Sequence, residues 1–158
     1  VGAATSQVAV LAPRFLTVHA SGGSAMIKSA VENGSNIDIT AVTILTSLGA
    51  NDLKEIGYLG DPESRAVELA KLATTAGAKA IVCSPLEIAA IRSSVSKEIS
   101  IITPGIRTKE SAADDQKRTL DPKSAIMLGA NYLVVGRPIT GATDISAAAK
   151  SMFEEATA

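Results

Sequence analysis

Asn131-Tyr-Leu-Val-Val-Gly-Arg-Pro-Ile-Thr140 is a short apolar run that stops at Gly136-Arg137-Pro138. Read as a buried strand, it delivers a bare glycine and a cation to one point, and the proline then ends the strand's hydrogen bonding. Glycine lets a ligand come close to the backbone, and Arg137 adds planar, charged donors. Such a corner suits anionic oxygen, phosphate above all. Upstream, Ile101-Ile-Thr-Pro-Gly-Ile-Arg107 is a second apolar run ending in Gly and Arg. Two strand ends presenting arginine, with a helical segment between them, point to a phosphate site on a βα-barrel.

Working outward, strand-like runs alternate with helix-like segments. The runs are Phe15–His19, Ile37–Leu45, Ala80–Cys83, Ile99–Thr103 and Tyr132–Val135. Most are short, β-branched and apolar throughout, as expected of parallel strands covered on both faces. Between them the period changes. Asp61-Pro62-Glu63 reads as an N-cap with proline at the first helical position, leading into Val67, Leu69, Ala70 and Ala73. Gly77 falls where a C-cap is expected. Asp121-Pro122 repeats the start and Gly129 the stop. Val1–Ala12 reads as a helix. The tail from about Thr143 reads as a closing helix with Ile145, Ala148, Ala149 and Met152 on one face.

Composition narrows the function. The 158 residues are 46% hydrophobic and 20% charged with net charge −1, which fits one soluble domain and leaves no basic field for nucleic acid. Aromatics make up 3% with no Trp, so base-stacking platforms are not expected. The lone Cys83 excludes an intrachain disulfide and is compatible with a reducing compartment. No apolar stretch approaches membrane-spanning length. The start Val1-Gly-Ala-Ala-Thr5 has neither Met nor a secretory pattern, and reads as cut.

The strand count is the difficulty. The runs are too few for an eight-stranded barrel. An open doubly wound sheet could use them, but the glycine-rich nucleotide fingerprint is missing, and Ala20-Ser-Gly-Gly23 has the spacing of neither that fingerprint nor a P-loop.

Val18-His-Ala-Ser-Gly-Gly23, Thr43-Ile-Leu-Thr-Ser47, Ile81-Val-Cys-Ser84, Thr103-Pro-Gly-Ile-Arg107, Asp114-Asp-Gln-Lys-Arg118 and Val134-Val-Gly-Arg-Pro-Ile-Thr140 come in that order. Together they resemble the later part of the bacterial orotidine 5'-phosphate decarboxylases. Each motif is short; their occurrence in register makes the resemblance specific. It implies a TIM (β/α)8 barrel, of which residues 1–158 form the C-terminal five βα units, barrel strands four to eight. It also implies conversion of orotidine 5'-phosphate to uridine 5'-phosphate and CO2 in pyrimidine biosynthesis. No metal or organic cofactor, a cytoplasmic location and a homodimer in the full-length enzyme go with it. The family's catalytic Asp-x-Lys-x-x-Asp motif would fall before Val1, and no such motif occurs in the chain. The segment alone is therefore expected to be inactive, carrying binding residues only.

The resemblance implies that Gly136 and Arg137 hold the 5'-phosphate, through a backbone N–H and a guanidinium. From the residues alone, a surface salt bridge is an equal alternative for Arg137. Arg107 matches a ligand contact against the plainer reading of a solvated loop arginine. Gln116 lies in the polar stretch 108–119, locally just an exposed loop, which the family uses as a lid whose glutamine reaches phosphate and base; Asp114 and Asp115 read as solvated lid charges. Thr46 and Ser47 match contacts to the pyrimidine ring, where hydroxyls can pair with imide edges; a turn or cap role is equally open. His19, without a nucleophile or metal-ligand spacing beside it, reads as packed or hydrogen-bonded. Cys83 reads as core, Tyr58 and Tyr132 as structural. Two other readings stay open: a related sugar-phosphate lyase or synthase, and a non-catalytic phosphate-ligand module or half of a split barrel.

Overall fold

The computed structural model describes residues 1–107 and 119–158. Five parallel strands form one sheet in strictly sequential order. They are β1 (Phe15–His19), β2 (Asp38–Val42), β3 (Ala80–Val82), β4 (Ser100–Thr103) and β5 (Tyr132–Leu133). Helix α1 (Gly2–Ala9) precedes the strands, α2 (Gly23–Asn33), α3 (Ala50–Glu55), α4 (Pro62–Thr75), α5 (Ile88–Ser94) and α6 (Pro122–Met127) lie in the connections, and α7 (Arg137–Thr140) and α8 (Ile145–Thr157) follow β5. Parallel neighbours joined one after another by helical crossovers are the βα repeat expected from the sequence.

The helices cover one face. Side chains alternate along a strand, and the outward set (Leu16, Val18, Ile39, Ala41, Ile81, Ile101, Leu133) packs into the helix-side core. There it meets Ile27 of α2, Leu69 and Ala73 of α4, Ile88 and Ile91 of α5, and Ala125 of α6.

Local chemistry sets the helix limits as expected. The Asp61 carboxylate accepts from the Ser64 amide at 2.9 Å, and Asp121 does the same for Ser124 at 2.9 Å. Both helices end on a glycine at positive φ, Gly77 at 102° and Gly129 at 109°. Each has the paired closing bonds of a Schellman motif: Ala78 N–H to Ala73 C=O with Gly77 N–H to Thr74 C=O, and Ala130 N–H to Ala125 C=O with Gly129 N–H to Ile126 C=O.

Three expectations need correction. β1 coincides with its apolar run, but the other four strands are shorter than theirs, because Ile37, Thr43–Leu45, Cys83, Ile99 and Val134–Val135 lie outside them. Pro138 does not end a strand. It sits in the first turn of α7, where its missing N–H costs no helical bond. Ile145 is exposed, since burial along α8 centres on Met152, with Ala148 and Ala149 half-buried.

The inner face is concave. In a flat sheet, the four steps from β1 to β5 would separate the edge strands by about 19 Å. Yet the rings of Phe15 on β1 and Tyr132 on β5 meet edge to face with centroids 5.2 Å apart. The Arg14 guanidinium lies over both, 5.0 Å from the Phe15 ring and 5.3 Å from that of Tyr132.

Candidate functional site

All strands run the same way, so their carboxyl ends share one rim, and the segments that leave it hold Thr46, Ser47, Arg107, Gly136 and Arg137. β4 and β5 are neighbours there: Thr103 is in register with Leu133, and the Val134 amide donates to the Thr103 carbonyl at 2.9 Å. Arg107 and Arg137 stand equally far beyond these two register partners. They therefore leave adjacent loops of the same rim.

Gly136 is the N-cap of α7, and Arg137 is its first residue. The Gly136 carbonyl accepts from the amides of Ile139 at 2.9 Å and Thr140 at 3.0 Å, which commits that carbonyl to the helix. A Cβ built on Gly136 would meet no atom within 4 Å. The glycine is thus not required by packing, and its bare face looks onto open space. Amide N–H groups at a helix start, beside an exposed guanidinium, suit an anionic oxygen.

Arg107 is anchored more firmly. Its amide donates to the Leu120 carbonyl at 3.0 Å, and the Leu120 amide donates back to Gly105 at 3.3 Å. Ile106, fully buried, forms a parallel bridge with Leu120. The Arg107 Nη1 donates to the Ile106 carbonyl at 2.9 Å. Gly105 makes the turn at φ 79°. The two flanks of the stretch that carries Gln116, Asp114 and Asp115 are therefore pinned together. Those three residues lie outside the described residues.

Thr46 and Ser47 do not end the strand itself. β2 stops at Val42, and Thr43 is tied to the Val82 carbonyl through its amide at 3.1 Å and its hydroxyl at 3.0 Å. Thr46 and Ser47 then occupy a turn closed by the Leu48 amide on the Leu45 carbonyl at 3.0 Å. Among the described residues, neither hydroxyl makes a hydrogen bond. Both are on the same rim as the two arginines, three and two strands away respectively from β5 and β4.

His19 departs from its reading. It is exposed at the end of β1 on the inner face, with no hydrogen-bond partner among the described residues. Among the described residues β1 pairs with β2 alone. Cys83 is buried in the core as expected. Tyr132 serves packing through Phe15, and Tyr58 lies under Arg65 at 5.8 Å.

The sequence reading passed over Glu87. This carboxylate is buried on the loop after β3 and accepts from the Ser84 amide at 3.0 Å, while the Leu86 amide approaches the Ser84 hydroxyl at 3.4 Å. Ser84-Pro-Leu-Glu87 is a Ser-x-x-Glu capping box, a signal present in the sequence. Among the described residues no group of His, Cys, Asp and Glu could hold a metal ion, and no helix is long and apolar enough to cross a membrane.

A model of the orotidine 5'-phosphate decarboxylase / HUMPS family matches residues 2–152. The chain belongs to this family. It is 46% identical over 155 residues to the orotidine 5'-phosphate decarboxylase of Thermobifida fusca, covering 98% of this chain and 66% of that protein. Its identity to the Frankia casuarinae enzyme of the same name is 45% over 142 residues, covering 90% of this chain and 52% of the other. The crystal structure of the Lactobacillus acidophilus orotidine 5'-phosphate decarboxylase resembles it with a TM-score of 0.84 at 35% identity, covering 99% of this chain and 69% of that one. The chain thus spans between about half and two thirds of the length of these curated relatives. The five-stranded sheet is a part of a TIM barrel.

Proposed function

We propose that residues 1–158 form the phosphate- and base-binding part of an orotidine 5'-phosphate decarboxylase, which converts orotidine 5'-phosphate to uridine 5'-phosphate and CO2 in pyrimidine biosynthesis. The observation that carries this reading is the open face of Gly136 at the start of α7, with Arg137 beside it and Arg107 on the adjacent loop. A TIM barrel commonly holds phosphate at this place, between the last two strands and the start of a short extra helix. In this reading the two guanidiniums and the α7 amides bind the 5'-phosphate, while Thr46 and Ser47 select the pyrimidine edge. Gln116 closes over both as part of a lid.

The division of labour follows from charge. Loss of CO2 leaves negative charge on a ring carbon, which needs a nearby ammonium to stabilise and protonate it. No Asp-x-Lys-x-x-Asp motif occurs in the chain, so these residues position substrate and perform no proton transfer. Phosphate binding, remote from the reacting carbon, contributes energy for closing the site and orienting the ring. The reaction in this scheme uses no cofactor, and the working enzyme is a cytoplasmic homodimer.

Calorimetric titration of the chain with uridine 5'-phosphate, uridine and ribose 5-phosphate tests the assignment. Binding of the nucleotide, weakened at least tenfold by removing its phosphate or by Arg137→Ala, is expected. Equal affinity of the parent and Arg137→Ala proteins would remove Arg137 from the site. Preference for ribose 5-phosphate over the nucleotide would refute pyrimidine selection. Decarboxylase turnover by the purified chain would refute the division of labour.

A further inference from the structure

The chain between β2 and α4 runs from Thr43 to Asp61 and carries Thr46 and Ser47. Its first end is fixed by the paired bonds from Thr43 to the Val82 carbonyl. Past the turn, α3 is fixed as well. Leu53 is fully buried in the core, its amide donates to the Gly49 carbonyl at 3.1 Å, and its carbonyl accepts from the Tyr58 amide at 2.9 Å. Arg65 of α4 holds the exit: Nη2 donates to the Leu59 carbonyl at 2.6 Å, and the guanidinium lies over the Tyr58 ring. A side chain joins the turn to this fixed helix. The Asp52 Oδ2 accepts from the Gly49 amide at 2.7 Å.

The direction of that bond is informative. At α4, α6 and α8 the capping carboxylate precedes the helix and reaches forward: Asp61 accepts from the Ser64 amide, Asp121 from Ser124 and Asp144 from Ala147. Those bonds satisfy amides of the helix's own first turn. Asp52 sits in the first turn of α3 and reaches back, as Glu87 does to Ser84. Gly49 has no side chain to cap the helix in return, so the bond does less for the helix than for the chain entering it. A carboxylate accepting from a backbone N–H makes a short, strong bond. Here it fixes the peptide between Leu48 and Gly49, directly after the turn closed by the Leu48 amide on the Leu45 carbonyl. The turn is thereby held on the β2 side by Thr43 and on the α3 side by Asp52, with the Thr46 and Ser47 hydroxyls between.

We propose that Asp52 is a positioning residue for base selection: it touches no ligand and holds the Thr46–Ser47 turn at the spacing a pyrimidine edge requires. The proposal rests on the base-binding reading of those two residues given above. Hydroxyls carried on a loose turn lose part of their binding energy to ordering it, and a carboxylate that orders the turn beforehand removes that cost. The consequence is selective. Losing Asp52 weakens ligands that carry the base and spares those that carry only the phosphate, because Arg107, Gly136 and Arg137 leave other strands.

The test titrates the chain and its variants with uridine 5'-phosphate and ribose 5-phosphate, and follows amide hydrogen exchange without ligand. In Asp52→Ala, exchange at the Gly49 amide should quicken at least tenfold. Uridine 5'-phosphate affinity should fall at least fivefold while ribose 5-phosphate affinity stays within about twofold of the parent's, a split that general destabilisation would not produce. Asp52→Asn still offers an oxygen to the Gly49 amide and should restore nucleotide affinity to within about twofold. A faster Gly49 amide with unchanged nucleotide affinity would overturn the proposal, as would equal losses for both ligands or Asp52→Asn as damaging as Asp52→Ala. Thr46→Val and Ser47→Ala separate this from the reading beneath it. If both leave nucleotide affinity unchanged, base contact itself is refuted and the positioning role falls with it. If either weakens nucleotide binding and Asp52→Ala does not, the positioning role alone falls.

Discussion

Replacing Arg92 by alanine should be among the most destabilising single changes at the amino-terminal ends of the strands. From α5, Nη1 donates to the Ser96 carbonyl at 3.2 Å, and Nη2 donates to Ile99 C=O at 2.9 Å, Gly129 C=O at 3.3 Å and Asn131 Oδ1 at 3.0 Å. Asn131 Oδ1 also accepts from the Ile101 amide at 2.8 Å. One guanidinium thus fastens α5, the entry to β4, the end of α6 and the entry to β5. The bonds to Ile99 and Gly129 are partly buried, and those to Ser96 and Asn131 are exposed. Hydrogen bonds from a charged donor contribute roughly 1.5–3 kcal/mol each, and water replaces much of the exposed pair. Against this stands the cost of desolvating the cation: burial lowers the Arg92 pKa, with the Cys83 interaction opposing the shift. The stem adds packing, since a Cβ on Gly129 would lie 3.2 Å from Arg92 Cγ. The net loss should be about 2–4 kcal/mol, a large part of a typical domain's stability. Urea unfolding followed by circular dichroism would show a lower midpoint at unchanged slope. Arg92→Lys should recover only part of the loss, because an ammonium cannot reach four acceptors in this fork. A change below about 0.5 kcal/mol for Arg92→Ala, the ordinary surface range, would refute the clasp.

Other outcomes follow from the caps and the rim. The Asp61 pKa is lowered, first by the Ser64 hydroxyl and then by the Ser64 amide, so its cap contributes fully above the unfolded value of 3.8 and is lost as pH falls through the folded value. Asp61→Asn should therefore flatten the acid side of the stability profile while leaving the neutral side nearly unchanged, as read by thermal melts across pH. Gly136→Ala meets no atom within 4 Å, so stability should shift by no more than about 0.5 kcal/mol. Uridine 5'-phosphate binding, measured by calorimetry, should nonetheless weaken at least tenfold if the bare backbone faces the phosphate.

What was legible in the sequence was local. Asp61-Pro62 with Gly77, and Asp121-Pro122 with Gly129, announced helix limits because capping acts over a few residues and needs no distant partner. Short apolar β-branched runs announced strands, though with ends too late. The run to Val135 looked continuous, yet pairing stops at Leu133 because β4 itself offers its last register partner at Thr103. Pro138 was read as a stop for a strand, and only the chain's turn at Gly136 makes it a helix start. The rim residues Arg107, Gly136 and Arg137 were found by residue type at strand ends, which a parallel sheet gathers on one side. His19 was expected to be packed or hydrogen-bonded and is exposed among the described residues, because what lies beside a strand is not a property of its own residues.

By itself, then, the amino-acid order determined the βα alternation, the helix caps and the arginine-bearing strand ends. These arise from backbone preferences and side-chain periodicity within a few residues. Tertiary structure alone decided that Arg92 joins groups 37 and 39 residues away and that Phe15 meets Tyr132 across a concave sheet. Both depend on how successive strands and helices stack and curve, which no single stretch of sequence encodes.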